Sequence, residues 1–296
     1  MGFFNFLDKM FNYDPNEDFK ETMQKQQQEK FEKEDKQGVR DKIIISKSFY
    51  LKQINKTENE IQIFKSDYKD FKKKNGKSAD TSGIVDSLNI RVLNLIGAKY
   101  SKGEPVKEIM HNCPALMETA SRNWSLEIDY SIGNKNLIRL KNSVSLGILG
   151  NVDNSYFEDL SKVMQEKRFS DFLIDYLVNS QIPTHPIEEK LIVEDNKSIN
   201  FLIDIIKTEE KQEAEKKLFE YLNKHYYTKE NLDYDYKKHE FENGRIYFGY
   251  WCWEAAALVK IKNLDDSIFK NNKYYPYDFV HWDKQEPPKK NTFLID

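Results

Sequence analysis

The segment from Ile246 to Val259 carries one charge, Glu254, in a chain where Asp, Glu, Lys and Arg make up 32% of residues. A helix drawn through such a segment has no polar face, so it has to lie inside other helices. Ala255, Ala256 and Ala257 let a neighbouring backbone approach closely, which favours packing over chemistry. The expectation is a fully buried, Trp-rich central helix near the C-terminus. Glu254 is constrained in turn, because a carboxylate among apolar side chains is hydrogen-bonded or paired if it stays ionised. One reading holds it by Tyr hydroxyls, by Arg40 or Arg245, or by backbone amides. The other places it in a groove, where it meets a cation from a partner.

The rest of the chain supports a helical body around that segment. Residues 12–38 are dominated by Gln, Glu, Lys and Asp, which allows only a solvated helix or an arm. From Val39 onward Ile43, Ile44, Phe49, Leu51, Ile54, Ile61 and Phe64 recur at helical spacing. Lys72 to Lys77 then breaks the pattern as a basic loop. Asp80-Thr-Ser-Gly offers an N-cap for a helix with the stripe Val85, Leu88, Val92, Leu95 and Ile96. Gly103 ends it and Pro105 starts the next. Ser155 and Glu158 have capping-box spacing, Pro183 and Pro186 stop the helices that follow, and Phe201–Ile206 and Leu218–Leu222 mark a further pair. The sum is an all-α, compact multi-helix bundle of roughly eight to eleven helices, estimated from length and mean helix size. Its regions are a polar arm (1–38), an N-terminal helical region (39–150) and a C-terminal helical region (151–296), packed as one globular unit.

Charge and cysteine usage narrow the function classes. Residues 1–150 hold 25 Lys and Arg against 21 Asp and Glu, and residues 151–296 hold 21 against 28, so the halves carry +4 and −7 within a net −3. That balance gives no general affinity for nucleic acid, and a basic partner prefers the second half. Cys113 and Cys252 are too few for a disulfide framework and fit a reducing cytoplasm. Met1 to Phe11 is apolar but interrupted by Asp8 and Lys9, and reads as a docking segment rather than a signal. No run approaches the ~20 apolar residues that span a bilayer. The expected protein is soluble and cytoplasmic, with no membrane partner, no direct contact with nucleic acid and no cofactor; a homodimer is compatible with the sequence.

Catalytic patterns are weak. The histidines His111, His185, His225, His239 and His281 lack metal-ligand spacing, and there is no nucleophile elbow or phosphate loop. Asp265-Asp266-Ser267 reads as the N-cap of a following helix that Tyr274-Tyr275-Pro276 ends, with Asp278 either capping a last short helix, Phe279 to Trp282, or fixing the Tyr side chains. A different signal lies in Tyr226 to Tyr236, read as a long interhelical loop in which Asp233 and Asp235 alternate with Tyr234 and Tyr236. Tyr supplies contact area with little entropy to lose, and carboxylates complement a basic surface. These four residues are the expected recognition patch.

Gly249, Tyr250, Trp251, Trp253, Glu254 and Ala255–Ala257, then Asp265, Asp266 and Ser267, then Tyr274, Tyr275, Pro276 and Asp278 form an ordered pattern. It resembles the C-terminal signature of the PoNi family, immunity proteins for polymorphic nuclease effectors (PoNe). These effectors are DNase toxins that bacteria deliver into competitors. Arg40-Asp41 and Tyr100, Gly103 and Glu104 match the family more sparsely. The resemblance implies a helical, non-enzymatic, cytoplasmic protein that binds a cognate PoNe-type DNase toxin and blocks it. Two competing readings are a helical hydrolase or nuclease using Glu254, Asp278 and a histidine, and a helical scaffold that binds peptide or nucleic acid through its basic segment.

Overall fold

A computed structural model describes residues 15–76, 78–123, 135–244, 246–282 and 293–294. Every regular element among them is helical, and slightly more helices are present than the eight to eleven expected. The surplus comes from single turns that leave little periodic signal, such as Val106–Ile109 and Lys229–Leu232. Met1 to Phe11 lies outside the described residues.

Helix α1 (Pro15–Lys36) is the solvated helix of the two options for the polar arm, exposed at nearly every described side chain. The body begins at Val39, which is buried. Asp41 folds the chain there by accepting from the amides of Ile43 and Ile44. Helix α2 (Lys47–Asn75) therefore starts later than periodicity suggested, with Ser46 accepting from the Phe49 amide as its cap. Lys72, Lys73 and Lys74 are not a loop. They form the last turn of α2, where three ammonium groups face the negative end of the helix dipole, and Gly76 at φ +89° closes it.

Helix α3 (Ser82–Lys102) packs along α2 and ends at Gly103 in the left-handed conformation, as Gly103 and Pro105 implied. After the single turn α4 (Val106–Ile109), α5 (Cys113–Asn123) and α6 (Lys135–Leu149) build the central layer on α3. Helix α7 (Asn154–Lys167) is capped by Asp153, which accepts from the Ser155 amide. The expected Ser155/Glu158 capping box does not form, because Asp153 already occupies the cap and the Ser155 hydroxyl is buried without a partner among the described residues. Arg168 at φ +55° separates α7 from α8 (Phe172–Asn179). Helices α9 (Lys197–Lys207) and α10 (Lys211–Glu220) are the further pair read from Phe201–Ile206 and Leu218–Leu222.

Tyr226 to Tyr236 is not a loop. A π-helical turn, Tyr221–His225, leads into α11 (Lys229–Leu232) and a 3₁₀ turn, Asp233–Asp235. The buried segment also differs from one continuous helix. Residues 246–252 form an irregular, non-helical strap, and α12 (Trp253–Lys262) begins only at Trp253. From Trp253 to Val259 every side chain of α12 is buried, so the expected interior helix is present. Residues 264–276 contain turns and no helix, so Asp265 caps nothing helical; its carboxylate accepts from the Ser267 amide. That bond holds the Asp265 carboxyl below its ordinary pKa. Helix α13 (Tyr277–His281) is the last, with Pro276 rather than Asp278 at its cap position.

Candidate functional site

Gly249 fixes the path of the strap. It sits at φ +104°, and a Cβ there would meet Ser101 Oγ and Trp251 Nε1, each at 2.3 Å. Only glycine suits both the conformation and the contact. The strap then bonds to α3: Trp251 Nε1 donates to Ser101 Oγ at 2.8 Å, and Ser101 Oγ donates to the Phe248 carbonyl at 3.1 Å. On its other side the Cys252 amide donates to the Tyr274 carbonyl at 2.8 Å. The strap cannot be helical here because its backbone groups are engaged by two other segments.

Tyr100 is the hub of the motif. Its ring packs edge-on to Trp251 at 4.7 Å and Trp253 at 5.6 Å, and lies 5.2 Å from Phe279. The Arg40 guanidinium covers it at 4.5 Å. Arg40 donates from Nη1 to the Glu104 carbonyl at 2.6 Å and from Nε to Asp278 at 2.5 Å. Asp278 is thus held by an arginine 238 positions away in sequence. Beside Arg40, Asp41 accepts the Tyr50 hydroxyl at 2.5 Å and the Tyr247 hydroxyl at 3.1 Å. Burial, with the Asp41 charge second, pushes both phenols upward in pKa. The sparse N-terminal matches and the dense C-terminal ones are two sides of one clamp.

A second set of rings extends from the strap. Tyr247 and Tyr250 lie 4.7 Å apart, Tyr250 and Tyr227 5.0 Å, and Tyr227 and Tyr274 5.3 Å. Tyr250 Oη accepts from the His239 amide at 3.2 Å. Tyr275 donates to Asp266 at 2.7 Å, and His281 Nε2 lies 2.8 Å from the same carboxylate. The aromatic side chains of the motif, with Glu254, Asp266 and Asp278, each join a partner from another segment or pack in the core, whereas Asp265 and Ser267 are exposed and bond to each other.

Glu254 is held neither by Arg40 nor by described backbone amides. Its Oε1 accepts from Lys141 Nζ at 2.6 Å and from Tyr221 Oη at 3.0 Å, with both ends of the ion pair buried. Arg40 lies elsewhere because Asp278 engages it, and Arg245 lies outside the described residues. Lys141 was missed, although as the one charge between Leu140 and Leu149 it is the counterpart of the lone glutamate in α12. Glu254 Oε2 has no hydrogen-bond partner among the described residues.

The expected recognition patch is split by the fold. Asp233 takes φ +46° at the C-terminal end of α11. Tyr236 packs against Tyr227 at 5.1 Å, while Asp235 reaches solvent and pairs with Lys238. The Tyr234 side chain lies outside the described residues. Between this turn, α3, α6 and the strap opens a cleft of about 80 Å³. Asp235 and Lys238 meet Glu254, Lys141, Asn94 and Asn142 in its lining.

One histidine set is a triad in composition only. His185 Nδ1 lies 2.8 Å from Ser161 Oγ and Nε2 lies 3.2 Å from Asp175, with all three residues buried. It ties the segment after α8 back onto α7 and α8. The residues of the hydrolase reading are likewise dispersed: Glu254 belongs to the Lys141 pair and Asp278 to the Arg40 clamp. Among the described residues no group of three or more His, Cys, Asp or Glu is placed to hold a metal, and no helix is long and apolar enough to cross a membrane.

No curated protein and no solved structure matches the chain. Residues 169–279 match the family model of PoNe immunity proteins (PoNi), C-terminal. That span runs from just before α8 through the strap, α12 and most of α13, so it contains the C-terminal motif residues Gly249 to Asp278 but not Tyr100 or Arg40, which pack on them from outside it. Over residues 169–279 the chain is therefore similar to the C-terminal domain of the PoNi immunity proteins.

Proposed function

We propose that this protein neutralises a cognate PoNe-type DNase toxin by binding it stoichiometrically and occluding its DNA-binding or active site, without chemistry of its own. The observation that carries the reading is the PoNi match over residues 169–279. The structure adds a physical rationale. Most motif side chains hold the strap, α12 and α13 to α3, which leaves recognition to the acidic exterior of the second half and to the cleft that opens beside the strap. A DNase holds phosphates in a basic groove, and a surface of carboxylates and tyrosines competes with DNA for that groove. Protection that outlasts toxin delivery calls for nanomolar affinity or tighter, about −12 kcal/mol. The cytoplasm is where such a protein meets an incoming nuclease.

The test is DNA cleavage by the nuclease encoded beside this chain, titrated with purified protein. Cleavage falling to background near equimolar ratio is the expected result; unaltered cleavage at tenfold molar excess would refute the proposal.

A further inference from the structure

The cleft beside the strap is lined by a buried carboxylate, one oxygen of which has no hydrogen-bond partner among the described residues. Glu254 is 1% exposed and lines the cleft; Oε1 is engaged by Lys141 and Tyr221, the Cys252 thiol lies beside the same carboxylate, and Oε2 has no hydrogen-bond partner among the described residues. A buried carboxylate oxygen without a donor costs free energy. A donor entering from the open side removes that cost. The cleft, at about 80 Å³, holds several waters or one small planar group. Its walls include the rings of Tyr247, Tyr250, Trp251 and Trp253. Asp235 stands in the same lining, and its pair with Lys238 is half-exposed at the aspartate, so an incoming cation can exchange for the lysine.

We infer that this cleft receives the guanidinium of an arginine from the bound partner, which donates to Glu254 Oε2 and packs against the aromatic wall. The inference rests on the toxin-binding reading above and names the contact it uses. Guanidinium fits this chemistry better than ammonium on three counts. It is flat and stacks on aromatic faces, it is more weakly hydrated and so easier to bury, and its forked donors can serve Glu254 and Asp235 together. Arginine is also the residue that a phosphate-binding groove exposes for bidentate contact. An inserted arginine would therefore be withdrawn from DNA.

Asn94 and Asn142 line the cleft and are only half-buried, which makes them sites at which to fill it. Asn94→Trp and Asn142→Phe are expected to weaken toxin binding at least tenfold by calorimetry while their melting curves by circular dichroism match the wild type; Asn94→Ala is expected to bind as the wild type does. The direct probe is N-acetyl-arginine methylamide, which should give saturable shifts of tryptophan and tyrosine resonances that both filled variants lose. Its citrulline counterpart should give none. Filled variants that melt normally and bind toxin at wild-type affinity would overturn the inference and leave the inhibitor reading standing. If the wild type itself fails to inhibit, the inhibitor reading falls, and the arginine probe alone decides the cleft. Absence of a saturable shift, or an equal shift from citrulline, would mean a cleft filled by water only.

Discussion

Helices α1 and α12 are both nearly devoid of amphipathic character, yet they have opposite fates. In α1 (Pro15–Lys36) polar residues surround the axis, and Phe31 stands 63% exposed. In α12 (Trp253–Lys262) the buried face is the whole circumference from Trp253 to Val259. A helix without a hydrophobic stripe has no preferred face, so mean polarity alone decides between solvent and interior. The interior choice then has a consequence the exterior one lacks. Each polar group that enters needs a designated partner. Glu254 took Lys141 and Tyr221, Trp251 took Ser101, and Asp278 at the edge took Arg40. Exposed α1 needs none, because water serves its side chains.

The comparison breaks if substitutions inside and outside cost alike. Lys141→Met, which leaves Glu254 as a buried charge without its ion-pair partner, is expected to destabilise by about 3–5 kcal/mol in urea denaturation. Lys141→Met combined with Glu254→Leu should recover most of that loss, since the penalty lies in stranding one charge. Next in size is Gly249→Ala, where a left-handed φ and the contacts with Ser101 and Trp251 coincide. A loss of about 1–3 kcal/mol is expected from the backbone strain alone. At the small end, Phe31→Ser on α1 should shift stability by no more than about 0.5 kcal/mol.

Two titrations sharpen the same contrast. Tyr50, Tyr100, Tyr247 and Tyr275 are all raised in pKa, chiefly by burial. In the folded state these phenols stay neutral at a pH where they ionise in the unfolded chain. Their contribution is therefore complete below about pH 10 and falls as pH rises past the unfolded value. Alkaline denaturation monitored by tyrosinate absorbance should show ionisation and unfolding together; phenols that titrate freely near pH 10 in folded protein would contradict the burial described. Burial likewise pushes the Cys113 thiol up to about 12 and the Cys252 thiol well above its ordinary value. Neither should react with a thiol reagent at pH 8 until denaturant is added.

Much of the fold was legible because its signals are local. The α3 stripe, the Gly103 stop, the α9–α10 pair and the interior placement of α12 follow from periodicity, turn chemistry and polarity over a few neighbouring residues. The errors arose where long-range partners override local preference. Residues 246–252 read as helix until Ser101 and Tyr274 claim their side-chain and backbone groups. Asp278 reads as a cap until Arg40 is folded against it, and Tyr236 reads as exposed until Tyr227 covers it. The cleft was not legible at all, since α3, α6, the 233–238 turn and the strap meet only in three dimensions.

Sequence by itself determined that this chain is helical, that Glu254 and its tryptophan neighbours are internal, and that a PoNi-type pattern runs through the C-terminal third. Tertiary structure alone decided which cation answers Glu254, which end of the chain grips Asp278, and that Glu254 lines a cleft with one carboxylate oxygen left without a hydrogen-bond partner among the described residues. The reason is physical. Burial is set by the polarity of a segment and travels with it, whereas pairing depends on which distant segments share the space that burial creates.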